Sequence, residues 1–195
     1  AYQGEYFIRR YGVEEVKRHP PVRQMLKMGI PVGAGTDGTR VASYHPWTCL
    51  WWMVTGKTVG GTVLHDQEDC LSRSEALRLY TQGSAWFSNE DDRKGTLSVG
   101  QFADLAVLSD DYFSVEADAI RQIESVLTML GGKVVYGKKN YANLSPELPP
   151  VSPDWSPVAF YGGYDNSQPA PPIHEHTPIM APDGRVWTTS CGCGN

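Results

Sequence analysis

The run "GIPVGAGTDGT", residues 29–39, constrains this chain more than any other stretch. Residues 30–36 are too few for a helix and are all apolar or small, the texture of a strand buried on both faces of a parallel sheet. Pro31 can sit only at the beginning of such a strand, because it has no N–H to offer a ladder. A parallel strand needs parallel neighbours, and no second run of this type occurs before residue 94. The neighbours are therefore expected upstream of Ala1, which makes the chain a C-terminal piece of a larger α/β protein. The opening "AYQGEYFIRR" has neither a methionine nor a signal peptide. It suits a fragment, a trimmed chain or a mature product of cleavage, and does not choose among them.

Asp37 comes directly after this run. In parallel α/β architectures functional groups gather at the C-terminal ends of strands. Gly35 and Gly38 let the backbone turn and leave room around the carboxylate. A carboxylate buried without a partner is costly, so the position asks for something cationic or for exposure. One reading is a metal ligand, a general base, or both. The other is a turn or N-cap acid that bonds nearby backbone N–H groups. Spacing alone does not choose between them.

Around this run the chain divides by texture. The first 28 residues are basic and helix-like, with Arg9, Arg10, Lys17, Arg18, Arg23 and Lys27 outnumbering Glu5, Glu14 and Glu15. His19-Pro20-Pro21 interrupts them, and Pro21 suits the first turn of a new helix with Val22, Met25 and Leu26, stopped by Gly29. Pro46 opens a second helix, "PWTCLWWMVTG", ended by Gly56. Ser72 and Glu75 form a capping box for a third, which places Ala76, Leu77, Leu79, Tyr80, Ala85, Trp86 and Phe87 largely on one side. From residue 94 the texture becomes that of short strands. Leu105 to Leu108 is an apolar run, and "IESVLTMLGGKVVYG" reads as a hairpin turned at Gly131-Gly132. After Tyr141 the chain holds ten of its 14 prolines and an acidic excess, as in an irregular tail.

The net charge of −5 argues against nucleic acid or an anionic membrane surface as partner. No apolar run approaches the roughly 18 residues of a membrane span. Cys49, Cys70, Cys191 and Cys193 are too sparse for a disulfide scaffold. His174, His176, Cys191 and Cys193 make up a tetrahedral zinc set by residue type, although their spacing fits no standard finger. His45 and His65 lie in loops and suit packing or surface roles as well as a pocket. Trp47, Trp51 and Trp52 suit a helical core, with Trp47 nearest Asp37 in sequence. No Ser/His/Asp set, phosphate loop or dinucleotide fingerprint is present, and "GAGTDG" lacks the glycine spacing of the last.

Taken in order, "GIPVGAGTDGTRVASYHPW", "LSRSEALRLYTQGSAWF", "KGTLSVGQFADLAVLSDDYF" and "LTMLGGKVVYG" resemble the C-terminal end of an amidohydrolase-superfamily enzyme. The branch is the one that includes N-substituted formamide deformylases and D-aminoacylase-like proteins. The resemblance covers about residues 4–137. It implies an α/β fold in which residues 1–93 are the last part of a metal-dependent (β/α)8 TIM barrel, with residues 30–36 as its eighth strand. Residues 94–140 are then the returning strands of a small β-sandwich, and residues 141–195 a tail outside the resemblance.

The family holds one or two divalent metals, usually zinc. The resemblance implies that Asp37 binds metal and acts as general base in hydrolysing an amide or other C–N bond of a small molecule. His45 and Trp47 become candidates for contact with that substrate, and Asp104 becomes a structural turn acid. The family's first-strand His-x-His pair, its bridging fourth-strand ligand and its later histidines have no counterparts here. They are expected in the N-terminal part of the parent chain, which is then the main partner. The chain alone is expected to be inactive and, with apolar barrel faces uncovered, to self-associate, a homo-oligomer being one form of this. The contrasting reading is a non-catalytic binding or regulatory module on the same scaffold.

Overall fold

The computed structural model describes residues 1–38 and 43–147, which, apart from Glu147, belong to one unit, Ala1–Pro146. The proline-rich tail beyond it, with His174, His176, Cys191 and Cys193, lies outside the described residues. Among the described residues no helix is long and apolar enough to cross a membrane.

The basic N-terminal segment forms three short helices, α1 (Gly4–Tyr11), α2 (Val13–Val16) and α3 (Val22–Lys27). Gly12 separates the first two at φ +86°, a conformation that favours glycine. Gly4 is the buried residue of α1: a Cβ there would lie 2.5 Å from Thr58 Cγ2 and 2.6 Å from Leu64 Cδ1. Pro21 precedes α3 as its N-cap and does not enter the first turn. The stop at Gly29 is as expected. With φ +72°, it donates its N–H to the Leu26 carbonyl while Ile30 donates to Met25, both at 3.0 Å. This is the paired bonding of a Schellman ending.

Residues 30–36 depart from the expected buried strand. They carry no strand assignment, Pro31 and Gly35 are exposed, and Ile30 remains 39% exposed. The physical reason lies in what a strand is: its ladder is built with a neighbouring strand, and the sheet among the described residues is paired entirely within residues 105–137. No barrel is formed among these residues.

The core gathers around α4 (Pro46–Thr55), which is apolar on all sides and buries Leu50, Trp51 and Met53. Pro46 opens it and Gly56 closes it in the left-handed conformation at φ +65°. Leu71, Ala76, Leu79, Tyr112, Ile120 and Ile123 complete the cluster. Two of its buried aromatic residues have their polar atoms matched. Trp51 Nε1 donates to Asp118 Oδ1 at 2.9 Å, and the Arg121 guanidinium lies 4.3 Å from the Trp51 ring centroid. Arg73 donates to the Tyr112 carbonyl at 2.6 Å, while the Tyr112 hydroxyl donates back to the Arg73 carbonyl at 3.1 Å.

The strands are β1 (Leu105–Leu108), β2 (Ser125–Leu130) and β3 (Lys133–Gly137), antiparallel in the order β1-β2-β3. Leu105 faces Met129 and Leu127 faces Gly137. The hairpin turns at Gly131 and Gly132, φ +56° and +78°, the two left-handed positions of a type I′ turn. Asp104 Oδ1 accepts the Gly131 N–H at 2.6 Å, the structural role expected of it. Among the described residues this sheet is a single layer of three strands, without the facing layer of a sandwich. A 3-10 turn, Lys139–Leu144, stands at the start of the segment expected to be an irregular tail.

Candidate functional site

Asp37 sits where residues 30–38 turn away from the third major helix of the chain. That helix starts with the expected capping box: Ser72 Oγ accepts the Glu75 N–H at 3.2 Å, and Glu75 Oε2 accepts the Ser72 N–H at 2.8 Å. It runs as α5 (Arg73–Arg78), widens into a π turn over Leu79–Gly83, and resumes as α6 (Ser84–Phe87). The wide turn shifts the phase of α6 relative to α5. Ala76, Leu79 and Ala85 are buried as expected, but Trp86 and Phe87 emerge 50% and 61% exposed, off the core face predicted for them.

The π turn packs on the segment that leads to Asp37. A Cβ on Gly83 would come 2.3 Å from the Val32 carbonyl oxygen, and one on Gly33 would come 2.9 Å from Phe87 Cδ2. Asp37 itself is exposed, with φ +48°, a left-handed conformation that aspartate tolerates better than most residues. Thr36 Oγ1 accepts the Gly38 N–H at 3.1 Å. Burial, with Cys49 as neighbour, pushes the Tyr80 phenol up to about 12, so it stays protonated and able to donate near neutral pH.

Asp37 lines a cleft of about 820 Å³, within the range of small-molecule pockets. The walls are mainly apolar and aromatic: Phe7, Tyr11, Val16, Trp52 and Leu64. Polar groups are few. Besides Asp37, Gln3, Glu15 and His19 reach it, the last two paired at 3.3 Å.

The structure brings Asp37 together with Trp52 and leaves Trp47 and His45 off this cleft. Trp47 tilts against Tyr112, ring centroids 5.8 Å apart, and packs on the core. The helix explains the exchange, since residues five apart point about 140° from one another. His45 is the N-cap of α4 and half-buried; burial lowers its pKa, with Glu124 acting in the opposite sense. His65, 9% exposed, takes the packing role, edge-on to Trp52 at 5.7 Å. Burial lowers its pKa as well, against the pull of Asp69. Tyr80 and Ser84 have no signal in the sequence as site residues, because nothing in "LYTQGS" announces a π turn.

The donor set for a metal is incomplete. Among the described residues, no group of three His, Cys, Asp or Glu side chains is placed to hold an ion. Asp37 is at most one ligand of such a site, and these residues alone do not fit a metal.

Residues 1–136 match the amidohydrolase family, a span that includes Asp37, the π turn and most of the sheet. The chain belongs to that family. Among curated amidohydrolase relatives, the N-substituted formamide deformylase of Arthrobacter pascens is 29% identical over 116 residues. That alignment covers 60% of this chain and 21% of the relative. YtcJ of Bacillus subtilis (strain 168), which bears the provisional name of amidohydrolase, is 34% identical over 74 residues, covering 38% of this chain and 14% of its own. The matched part of this chain thus spans about a fifth and a seventh of these relatives. No solved structure matches the chain.

Proposed function

We propose that this chain is the C-terminal portion of a hydrolase that cleaves an amide or other C–N bond of a small molecule, and that Asp37 is its contribution to the chemistry. The observation that carries the reading is Asp37 itself. Within a family-matched span, an exposed carboxylate in a left-handed turn lines an apolar cleft of small-molecule size. A carboxylate so placed is suited to taking a proton from water as it attacks and returning it to the leaving amine. The aromatic walls suit the hydrophobic body of a substrate and limit water around the reacting bond.

A divalent metal, zinc in the first instance, belongs to this proposal, with Asp37 as one ligand and the others supplied from outside the described residues. His45 and Trp47, placed off the cleft, are proposed as substrate contacts only in a pocket that further chain completes. The test is an assay of the full-length protein against small amides, N-substituted formamides included, before and after chelation. The expected result is hydrolysis that chelation abolishes and a divalent ion restores. Absence of any C–N hydrolysis, with ligand binding retained, would replace the enzyme by a binding module. Hydrolysis indifferent to chelation would remove the metal.

A further inference from the structure

The hydrogen bonds between residues 32–36 and the π turn are unusually concentrated on one residue. Ala34 donates its N–H to the Leu79 carbonyl at 3.0 Å and accepts the Ser84 hydroxyl on its own carbonyl at 2.8 Å. Both backbone polar groups of Ala34 are thus satisfied by one turn of helix, as a strand neighbour would satisfy them. The Ser84 hydroxyl also lies 3.2 Å from the Leu79 carbonyl, but the shorter distance is to Ala34. On one side of this anchor, Gly33 and Gly83 touch, with Gly83 unable to accept a Cβ against the Val32 carbonyl. On the other, the Thr36 side chain, one residue before Asp37, is a neighbour of the Tyr80 phenol.

We infer that Ser84, presented by the π turn, is a positioning residue for Asp37: through Ala34 it fixes the segment that aims the carboxylate into the cleft. The geometry requires the wide turn. It brings the Leu79 carbonyl and the Ser84 hydroxyl to the same residue of the segment, where they meet its two backbone groups. Asp37 lies three residues beyond Ala34, no more than about 11 Å along an extended chain. Among the described residues no strand ladder stands behind its left-handed turn, so lateral anchors decide where its carboxylate stands.

This inference rests on the reading of Asp37 as a functional carboxylate. It is tested in the full-length protein with Ser84→Ala, Ser84→Thr and Asp37→Asn side by side. Ser84→Ala is expected to lower kcat about tenfold with KM within about twofold, because orientation and not substrate binding is lost. Ser84→Thr, which keeps the hydroxyl, is expected to restore kcat to within about threefold of the parent. A readout free of turnover accompanies these: amide hydrogen exchange at Ala34 should speed up about tenfold in Ser84→Ala while exchange in β2 stays unchanged. Parental kcat in Ser84→Ala, beside an inactive Asp37→Asn, would overturn the positioning role and leave the functional reading standing. A loss in Ser84→Ala that Ser84→Thr does not restore, with faster exchange in β2 as well, would make Ser84 merely structural. Full turnover in Asp37→Asn would defeat the functional reading itself.

Discussion

Two regions of this chain reach order by different routes. Around α4, each element is closed by its own neighbours. Pro46 and Gly56 bound the helix, Ser72 and Glu75 start the next, and Leu50, Trp51 and Ile120 are 2% exposed or less. Among the described residues, the segment that carries Asp37 is enclosed only in part, with Val32 and Ala34 half-buried against that cluster. It is also held by two bonds at Ala34 and by a contact between two glycines. The first region keeps its stability in buried apolar area; the second keeps a position. The contrast teaches that substitutions in the core should change how firmly the chain folds, whereas those along residues 32–37 should change where one carboxylate stands.

The sharpest way to break this contrast is Leu50→Ala. It removes a side chain 1% exposed from the centre of the cluster and should cost about 2–5 kcal/mol in denaturant unfolding. A cost below about 1 kcal/mol would mean that the core is not self-contained. Gly83→Ala comes next. Its Cβ would meet the Val32 carbonyl at 2.3 Å, so helix and segment must part, with an expected loss of about 1–3 kcal/mol and faster amide exchange around Ala34. Ser72→Ala should cost about 1 kcal/mol through loss of the cap, and should leave exchange at Ala34 unchanged.

The smallest effect is a pH dependence. The Ser72 hydroxyl and then the Ser72 N–H hold the Glu75 carboxyl below its ordinary range. A carboxyl with a lowered folded pKa contributes stability that is complete above its unfolded value, about 4.3, and is lost as pH falls through the folded value. Unfolding midpoints tracked downward from pH 6 should therefore decline below about pH 4.3. In Glu75→Gln that part of the decline should be absent. An equal decline in both proteins would assign the acid sensitivity to other carboxylates.

Legibility in the sequence divides along the same line. Ser72 with Glu75, Pro46 with Gly56, Gly29, and Gly131 with Gly132 are local signals whose partners lie within a few residues, and each forms as expected. For residues 30–36 the sequence offers texture alone. Texture reports what environment a segment suits, and the neighbour that would supply that environment is not among the described residues. Trp86 and Phe87 leave the expected face because an ordinary helical repeat does not hold across Leu79–Gly83, where the turn is wider. Nearness in sequence favours Trp47 over Trp52, and helical rotation overrides it. Asp37 stands out because glycines flank a single acid; the Leu79 carbonyl and Ser84 hydroxyl that hold its segment come from more than 40 residues away.

The central claim is that Asp37 works and is not simply a turn residue. Its most direct test is kcat of the full-length protein carrying Asp37→Asn, measured on whichever small amide the parent hydrolyses. Loss of the proton acceptor at nearly constant volume should lower kcat by about a hundredfold or more, with the fold intact by circular dichroism. Parental turnover in that variant would contradict the account and return Asp37 to the role of a turn acid.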